Sequence, residues 1–596
     1  MHRTATPVIL VLVLALAATS VTARTGIQDM TSSALIREAY RQGAIDKSRM
    51  ILLSAYALYA PSELPEAYRG GAIDKCGTPL AIEIADALPE LPHDVAEEIR
   101  GLRDRPTNTT YYDTEHFRIH YDTSGSKKIY GWPNTSYRDA IAAAAENSWA
   151  TEIDDWGFRQ PPSDSGDPDG GDGGPLYDIY VQNCSGYYGY CQGCYTQPGA
   201  PSNDCSSYVV IDNDYAGFGY PNPVDPMKVT VAHEFNHACQ MAHDYTEGTW
   251  YMECTAVWAE DHVYDDINDY LQYLSFFFNS PYRSLEYEDG TGLRVYGSTV
   301  WNFFLGEHVS VDVIPEIWYQ CENPNGTYEA MNVVLTARGT SLADEFNEFA
   351  IWNWFTGTRD DGEHYEEGAS YPLASLTRTY GSYPIVDGGP STGYYPDHMA
   401  ANYIRFTNPD EDYVSLHVSY DGPMLATRPN RAYLNWKTAT PVDSGEYGEI
   451  SLNPWGNGDV TIDEWHQYSN VTLVVTNPNT SGDDMDYSYD VEQMNVGVPS
   501  GEEHLFAMRG ASPNPFTAGT SLSYTVPSGG GHVRVGIYDV AGRLVRDLVS
   551  EQMPAGDAIA RWDGIDGAGR RVASGIYFAR LDIDGRTACG KLVALR

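Results

Sequence analysis

The sequence predicts a multidomain protein in which an α+β domain lies between a helical N-terminal region and two C-terminal β-sandwich domains. The chain has 596 residues, several times the usual size of a domain. Its early part has helical periodicity, whereas short alternating segments separated by Pro, Gly, Asn and Asp turns dominate from about residue 385. The predicted segments are a leader (1–23), a helical region (24–105), the α+β domain (106–384), a β-sandwich (385–498) and an Ig-like β-sandwich (503–596).

The first 23 residues are predicted to be a secretory signal peptide. His2 and Arg3 give a weakly positive start, residues 7–18 form an apolar run, and residues 21–23 form a small-residue cleavage site. The run is too short to span a bilayer, and no later segment comes closer. We therefore expect a secreted, extracellular or surface-attached protein without a transmembrane segment.

The charge of the chain excludes two classes of partner. It has 82 Asp and Glu residues against 37 Lys and Arg residues, a formal net charge of −45. Nucleic acids and anionic membranes bind basic patches, so neither is expected to be a partner. Such acidity suits a salty or extracellular medium.

The helical region has the position expected of a propeptide, between the leader and the α+β domain. Residues 39–47 return with one change as residues 67–75, which suggests a repeated helical hairpin.

The α+β domain contains His233, Glu234 and His237 in the pattern H-E-x-x-H. An i, i+4 pair projects both imidazoles to one side of a helix, within reach of one tetrahedral ion, and Glu234 can reach the open fourth position. Asp225 is the expected N-cap, with Pro226 in the first turn. The pattern predicts a hydrolytic zinc site.

A third protein ligand is needed, and Glu253 is the favoured candidate. A second helix is predicted to begin near Thr249, which places Glu253 in its early turns. Glu260 is a rival because it shares a helical face with Glu253. His243 is the other alternative, because it completes H-E-x-x-H-x-x-x-x-x-H, a spacing that resembles the metzincins; metzincins, however, have a Gly where Gln240 stands. A helix that continues through Gln240 would turn His243 roughly 240° away from His237.

This arrangement resembles the gluzincin metalloproteases, in which a Glu on a following helix completes the H-E-x-x-H site. The resemblance implies a zincin-like metalloprotease domain, with His233, His237 and Glu253 as metal ligands and Glu234 as general base. The chain departs from the thermolysin-like pattern because Val257 stands where an orienting Asp is expected, so Glu260 or Asp261 would have to take that role.

Zinc proteases commonly place a Tyr or His donor opposite the metal to stabilise the oxyanion. Tyr296 is the candidate catalytic donor, with His308 as an alternative. Residues 176–181 are predicted to form a strand before the active-site helix, where gluzincin-like folds place the edge that pairs with an extended peptide.

The nine cysteines of an exported chain suggest disulfide bonds. Four of them crowd into one loop before the zinc helix and are expected to form two bridges, with a structural zinc site as the alternative. They are Cys184, Cys191, Cys194 and Cys205.

Two further features of the sequence bear on metal binding: an acidic loop and a motif around a cysteine. An acidic, glycine-rich loop offers a calcium site, for which the alternative is a solvated turn; its carboxylates are Asp164, Asp167, Asp169 and Asp172. Residues 75–79, Lys-Cys-Gly-Thr-Pro, resemble the cysteine-switch motif of metalloprotease propeptides, in which a thiolate occupies the open zinc position. The alternative is that Cys76 is simply buried or disulfide-bonded.

The C-terminal stretch resembles the Ig-like fold of flagellar hook-capping proteins and the sorting domain of type IX secreted bacterial proteins. The residues that carry the likeness are 512–516, 535–544, 562–564, 574–578 and 591–596. Together with the leader and the H-E-F-x-H domain, they make the chain similar to secreted metalloproteases described from myxobacteria.

The function implied is a secreted zinc endopeptidase acting on proteins or peptides. Its C-terminal domain would contact secretion machinery or the cell envelope. The alternative is a surface adhesin or glycan-binding protein with a structural or vestigial metal site. An aminopeptidase is less favoured because no motif that binds a peptide N-terminus is present.

Overall fold

The computed structural model describes residues 30–595 with short gaps, so the expected signal peptide at residues 1–23 lies outside the described part. The gaps are residues 166, 168–173, 185, 197–202, 290, 324–325, 408–412, 424–430, 439–445, 454–455, 495–506, 528, 541 and 584–585. The chain divides into two compact units. The first extends to residue 376 and adds residues 396–402 and 476–484; the second contains residues 377–395, 403–475 and 485–596.

The N-terminal region of the first unit is helical, as predicted. It contains α1 (Ser32–Arg41), α2 (Lys47–Tyr59), β1 (Asp74–Cys76), α3 (Thr78–Ala87) and α4 (His93–Leu102). The apolar faces of the helices form a core that also includes Tyr180, Tyr190, Tyr208 and Val210 of the following domain. The N-terminal region therefore shares its core with that domain.

The expected repeat of a helical hairpin is wrong. Residues 39–47 end α1 and begin α2, where Asp46 accepts a hydrogen bond from the Arg49 N–H and caps the helix. Residues 67–75 instead lead into β1, where the Asp74 N–H donates to the Gly186 carbonyl. Different neighbours give two nearly identical segments different structures.

A six-stranded mixed sheet forms the framework of the α+β domain, in the order β1-β5-β6-β4-β3-β2. Its other strands are β2 (Thr110–Asp113), β3 (Phe117–Tyr121), β4 (Tyr177–Gln182), β5 (Tyr187–Thr196) and β6 (Cys205–Asp212). Strands β3, β4 and β6 are parallel, β5 runs antiparallel to β6, and β1 lies parallel to β5 at the sheet edge.

The predicted strand at residues 176–181 exists, but its expected position at the sheet edge is wrong. It corresponds to β4, which lies between β3 and β6. The strand next to the helical site is β5, and its outer edge is covered by β1.

Helices pack on this sheet and against one another. After α5 (Ser136–Trp149) come α6 (Val224–Met241) and α7 (Thr249–Val263), and α6 contacts β5, β6, α5 and α7. The remaining helices are α8 (Leu271–Phe278), α9 (Arg294–Gly297), α10 (Val300–Phe304), α11 (Val313–Cys321), α12 (Thr327–Ala337) and α13 (Leu342–Trp352). Within the described residues, no helix combines the length and apolar character needed to cross a lipid bilayer.

Helix α6 begins slightly earlier than predicted, so the expectation that Asp225 caps it is wrong. Asp225 lies in the first turn, and the Asn222 side-chain carbonyl accepts hydrogen bonds from the N–H groups of Val224 and Asp225. Val231 and Phe235 are buried as predicted, and most of the helix is buried around its whole circumference.

The second unit is built of β-strands in two groups, each with two sheets around its own core. The first group has sheets ordered β13-β10-β15-β8 and β12-β11-β14-β9-β7, formed by β7 (Arg378–Tyr380), β8 (Ile385–Gly388), β9 (Ala400–Thr407), β10 (Ser415–Asp421), β11 (Arg431–Thr438), β12 (Glu446–Ile450), β13 (Asn457–Asp463), β14 (Tyr468–Asn477) and β15 (Ser488–Met494). The second has sheets ordered β16-β17-β20 and β19-β18-β21-β22, formed by β16 (Ala507–Ser512), β17 (Thr520–Val526), β18 (Gly531–Asp539), β19 (Leu544–Met553), β20 (Gly556–Trp562), β21 (Gly575–Ile583) and β22 (Arg586–Ala594).

Candidate metal centre

Helices α6 and α7 bring the three predicted ligands together. The Nε2 atoms of His233 and His237 are 3.1 Å apart, as expected for two imidazoles one turn apart on a helix. Each Nε2 lies 3.2 Å from a different carboxylate oxygen of Glu253. All three side chains are buried.

Cys76 supplies a fourth donor from the N-terminal region. Its Sγ lies 3.4 Å from His237 Nε2, and the donor atoms of Cys76, His233, His237 and Glu253 all lie within 4.8 Å of one another. A tetrahedral zinc ion with bonds of about 2.0–2.3 Å separates neighbouring donors by roughly 3.3–3.8 Å. The observed spacing and donor types therefore fit zinc.

The electrostatics of Glu253 also favour a cation. Both of its carboxylate oxygens are buried, and among the described residues neither has a hydrogen-bond donor of suitable geometry. Burial raises the pKa of this carboxyl, but the adjacent His237 and His233 outweigh burial and hold it at about 2. Because a buried anion requires compensation, a metal ion between these groups would satisfy it.

The second nitrogen of each histidine has a fixed partner. His233 Nδ1 lies 2.5 Å from Glu260 Oε1, and His237 Nδ1 lies 2.8 Å from Gln240 Oε1. These contacts direct both Nε2 atoms toward Glu253. Glu260 therefore orients His233. As a rival metal ligand it would have to belong to the four-donor cluster, and it does not. Asp261 does not contact either imidazole in the described hydrogen bonds.

Sequence reasoning missed the contribution of Gln240, which it treated only as the residue in place of a metzincin glycine. The available signal was spacing, because residues three apart on a helix share a face. Its amide N–H groups donate to the Asn236 side chain and the Met252 carbonyl, so its oxygen is turned toward His237.

Glu234 is buried beside the cluster and is held by the N-terminal region. Its Oε2 accepts a hydrogen bond of 2.8 Å from the Thr78 hydroxyl and lies 3.6 Å from Cys76 Sγ. Its Oε1 has no hydrogen-bond partner in the part of the chain that the structure describes. Burial raises the pKa of Glu234, so this carboxylate takes up a proton more readily than an exposed one.

Tyr296 and His308 have different surroundings. Tyr296 lines a cavity of about 120 Å³ together with Cys76 and Glu253. Burial, followed by the charge of Glu253, raises the pKa of the phenol, which therefore remains a hydrogen-bond donor. His308 lies 3.6 Å from Glu345 and does not line this cavity.

His243 does not join the cluster. Its Nδ1 lies 2.9 Å from Glu322 Oε1, and its Nε2 accepts a hydrogen bond from the Arg159 N–H. The reason is that α6 continues to Met241, so the chain does not turn back toward the cluster after His237.

The expectation of two disulfide bonds in the cysteine-rich loop is wrong. Cys184 and Cys191 are buried free thiols, and Cys191 Sγ lies against the Tyr177 hydroxyl and Met241 Sδ. The side chain of Cys194 lies outside the described residues. Within the described part of the chain, the metal-compatible group of side chains is the one around His233, so the alternative of a zinc site at these cysteines finds no support there.

The calcium prediction falls partly outside the described residues, because Asp169 and Asp172 are not described. Asp164 forms a 2.8 Å ion pair with Arg105, and Asp167 accepts a hydrogen bond from the Ser206 hydroxyl. Calcium at this loop stays a prediction.

Comparisons with known proteins bear mainly on the C-terminus. Residues 512–582 match the FlgD Ig-like domain family, which confirms the Ig-like prediction there. No curated protein matches the chain.

Solved structures give only distant likenesses. PorZ, a surface component of the type IX secretion system of Porphyromonas gingivalis, is 21% identical over 19% of this chain and 14% of its own, with a TM-score of 0.12. The glycoside hydrolase domain of Endo-D from Streptococcus pneumoniae R6 is 12% identical over 35% and 32% of the two chains, with a TM-score of 0.13. The β-glucuronidase of Bifidobacterium dentium is 11% identical over 33% and 39%, with a TM-score of 0.18. The chain thus spans well under half of each structure, and these scores establish no common fold.

Proposed function

We propose that this protein is a secreted zinc-dependent endopeptidase held latent by its own N-terminal region. The observation that carries the proposal is the buried four-donor cluster of Cys76, His233, His237 and Glu253, with the Glu234 carboxylate directly beside it. Three donors come from the α+β domain and the fourth, Cys76, comes from the N-terminal region. Departure of the N-terminal region would therefore open one coordination position.

The residues around that position have the chemistry that peptide hydrolysis needs. Zinc, when bound, polarises the substrate carbonyl and lowers the pKa of the attacking water. Glu234 accepts the proton of that water and delivers it to the leaving amine. The protonated phenol of Tyr296, which lines the cavity shared with Cys76 and Glu253, would donate a hydrogen bond to the oxyanion.

Strand β5 would bind the substrate. The carbonyl groups of Gly186, just before β5, and of Gly189, within β5, accept hydrogen bonds from the N–H groups of Asp74 and Gly77. The edge of β5 is therefore able to pair with an extended chain. A peptide that replaces β1 would run past the metal cluster in the same groove.

Latency follows from two contacts made by the N-terminal region. Cys76 fills the fourth donor position, and the Thr78 hydroxyl occupies one oxygen of Glu234. Thr78 is fixed in turn, because it accepts a hydrogen bond from the Cys191 N–H. The segment thus blocks both the fourth donor position of the metal site and the general base, as a cysteine switch does.

The C-terminal domain would attach the enzyme to its place of action. Its match to the FlgD Ig-like family supports a binding role in contact with secretion machinery or the cell envelope. The leader predicted at residues 1–23 supports export, and the partner of the active site would be a protein or peptide substrate.

The test of catalysis combines metal analysis with hydrolysis of unstructured protein. Both proteins carry Cys76→Ala, because the wild-type chain is latent. We expect about one zinc per chain with and without Glu234→Gln, and hydrolysis that is lower with Glu234→Gln by roughly 10²-fold or more. Retained hydrolysis in the double variant contradicts the mechanism. Glycan binding by a protein that holds zinc but never cleaves would instead favour the adhesin interpretation.

The test of latency uses the full chain with Cys76→Ala. Removing the fourth donor should raise hydrolysis above the wild type by at least roughly 10-fold, because the open position becomes accessible. Cys321→Ala is the matched control, since Cys321 is also a buried thiol but lies on α11 outside the cluster. Equal activity of the wild type and Cys76→Ala would overturn the latency.

A further inference from the structure

A second contact of the N-terminal region lies next to the metal cluster, at Lys75. The side chain of Lys75 is 2% exposed, and its Nζ lies 2.9 Å from Glu260 Oε2 and forms an ion pair with Asp269. The rings of Tyr273 and Tyr188 lie 5.0 Å and 5.5 Å from the ammonium group. A flexible alkylammonium side chain is thus enclosed by two carboxylates and two aromatic faces.

The walls of this pocket and its occupant come from different parts of the chain. Glu260, Asp269, Tyr188 and Tyr273 all belong to the α+β domain, whereas Lys75 belongs to the segment that must leave. Its departure would leave two buried carboxylates without a cation, which is strongly unfavourable. The open enzyme would therefore favour a replacement cation at this position.

The pocket is also connected to the metal cluster. Glu260 uses one oxygen for Lys75 and the other for His233 Nδ1. Asp269 is held by hydrogen bonds from the Tyr220 hydroxyl and the Gln272 amide. Both carboxylates are therefore fixed in place by the α+β domain as well as by Lys75.

We infer that this pocket is the primary specificity pocket of the enzyme and takes a lysine or arginine side chain of the substrate. The inference rests on the proposed function and names its substrate class: peptides with a basic residue next to the scissile bond. Lys75 of the N-terminal region would occupy the pocket as a substrate side chain does, one residue from the cysteine that fills the metal site. The opposite charges of pocket and side chain give the selectivity.

Peptide cleavage by the full chain with Lys75→Ala and Cys76→Ala, which removes the side chains that fill the pocket and the fourth donor position, tests the inference. The substrates are quenched fluorescent peptides that differ at one position, with Lys, Arg, Gln or Leu. We expect kcat/KM for the Lys and Arg peptides to exceed that for the Gln and Leu peptides by about 10-fold or more. Adding Asp269→Asn should reduce this ratio by a similar factor, whereas Asp312→Asn, at an exposed acid, should not.

A second measurement does not depend on hydrolysis. In full-length Lys75→Ala, n-butylammonium should raise Tm more than n-butanol at equal concentration and ionic strength, and Asp269→Asn should remove the difference. Equal cleavage of Lys and Leu peptides, or equal effects of the two additives, overturns the pocket and leaves the peptidase standing. A butylammonium effect without cleavage of any peptide overturns the peptidase and leaves a cation pocket of no catalytic use.

Discussion

At the scale of single residues, the site depends on carboxylate and amide groups that fix the histidines as much as on the donors themselves. The hydrogen bonds from His233 to Glu260 and from His237 to Gln240 define which nitrogen of each ring faces Glu253. Such partners commonly change metal affinity without contacting the metal.

Removal of the third donor should empty the site. Glu253→Ala is expected to lose zinc, because two imidazoles and a thiol from a separable segment are left. His243→Ala should retain full zinc, since His243 lies with Glu322 outside the cluster. Inductively coupled plasma analysis of both variants checks this, and zinc loss from His243→Ala alone would restore the metzincin alternative.

Loss of the Gln240 hydrogen bond should weaken the site without removing it. Gln240→Leu is expected to lower zinc affinity by about 10- to 100-fold, because His237 loses the acceptor that orients its ring. Gln240→Glu keeps an acceptor at the same place and should lose less. Competition with a fluorescent chelator measures both affinities, and unchanged affinity in Gln240→Leu would contradict an orienting role.

At the scale of elements, the close approach of β5 to α6 depends on Gly189. A Cβ there would lie 2.7 Å from the Val210 carbonyl oxygen and 2.8 Å from Thr230 Cγ2. It would also lie 3.2 Å from Glu234 Cγ. The absence of a side chain at Gly189 lets β5 lie directly over α6.

Gly189→Ala is therefore expected to destabilise the protein by about 1–3 kcal/mol, because backbone atoms must move to admit the methyl group. Gly101→Ala is the matched control: it lies in helix α4, meets nothing within 4 Å and should be neutral or slightly stabilising. Thermal unfolding of the two variants gives the comparison. A stability of Gly189→Ala equal to that of Gly101→Ala would show that β5 and α6 can separate freely.

The elements also show how far sequence reasoning can go. Helices α6 and α7 and strand β3 are local in origin, and their spacing placed His233, His237 and Glu253 correctly in relation to one another. The position of β1 could not be predicted, because it depends on hydrogen bonds between residues more than a hundred positions apart. The cysteine count was misleading for a related reason, since each buried thiol finds its surroundings only in the folded chain.

At the scale of the whole molecule, an acidic cluster in the first unit makes stability depend on pH. Burial, followed by the charges of Glu367 and Asp265, raises the pKa of Asp261 to about 8. Burial also raises the pKa of Glu307 to about 7. Both groups bind protons more tightly in the folded state than in the unfolded chain.

Stability should therefore fall as pH rises. Between about pH 4 and pH 8 the folded state holds more protons at Asp261 and Glu307 than the unfolded chain does. Their contribution to stability is therefore fully present below about pH 4, declines as pH rises, and is lost once pH has passed the folded pKa values of about 7 and about 8. Tm of the wild type at pH 5.5 and 8.5 should differ more than Tm of Asp261→Asn. An equal difference in both proteins would contradict the assignment.

The core that the N-terminal helices share with the sheet has a consequence for activation. Ile84 and Ile99 pack in one apolar cluster with Tyr180 and Val210. The N-terminal region therefore binds the α+β domain through hydrophobic contacts as well as through Cys76 and Lys75. Cutting the joint near residues 105–109 would leave the severed piece in place as a tight, non-covalent inhibitor. In the proposed peptidase, exposure of the active site would then require a second cleavage within the fragment, and the interval between the two cleavages would set the delay before activity.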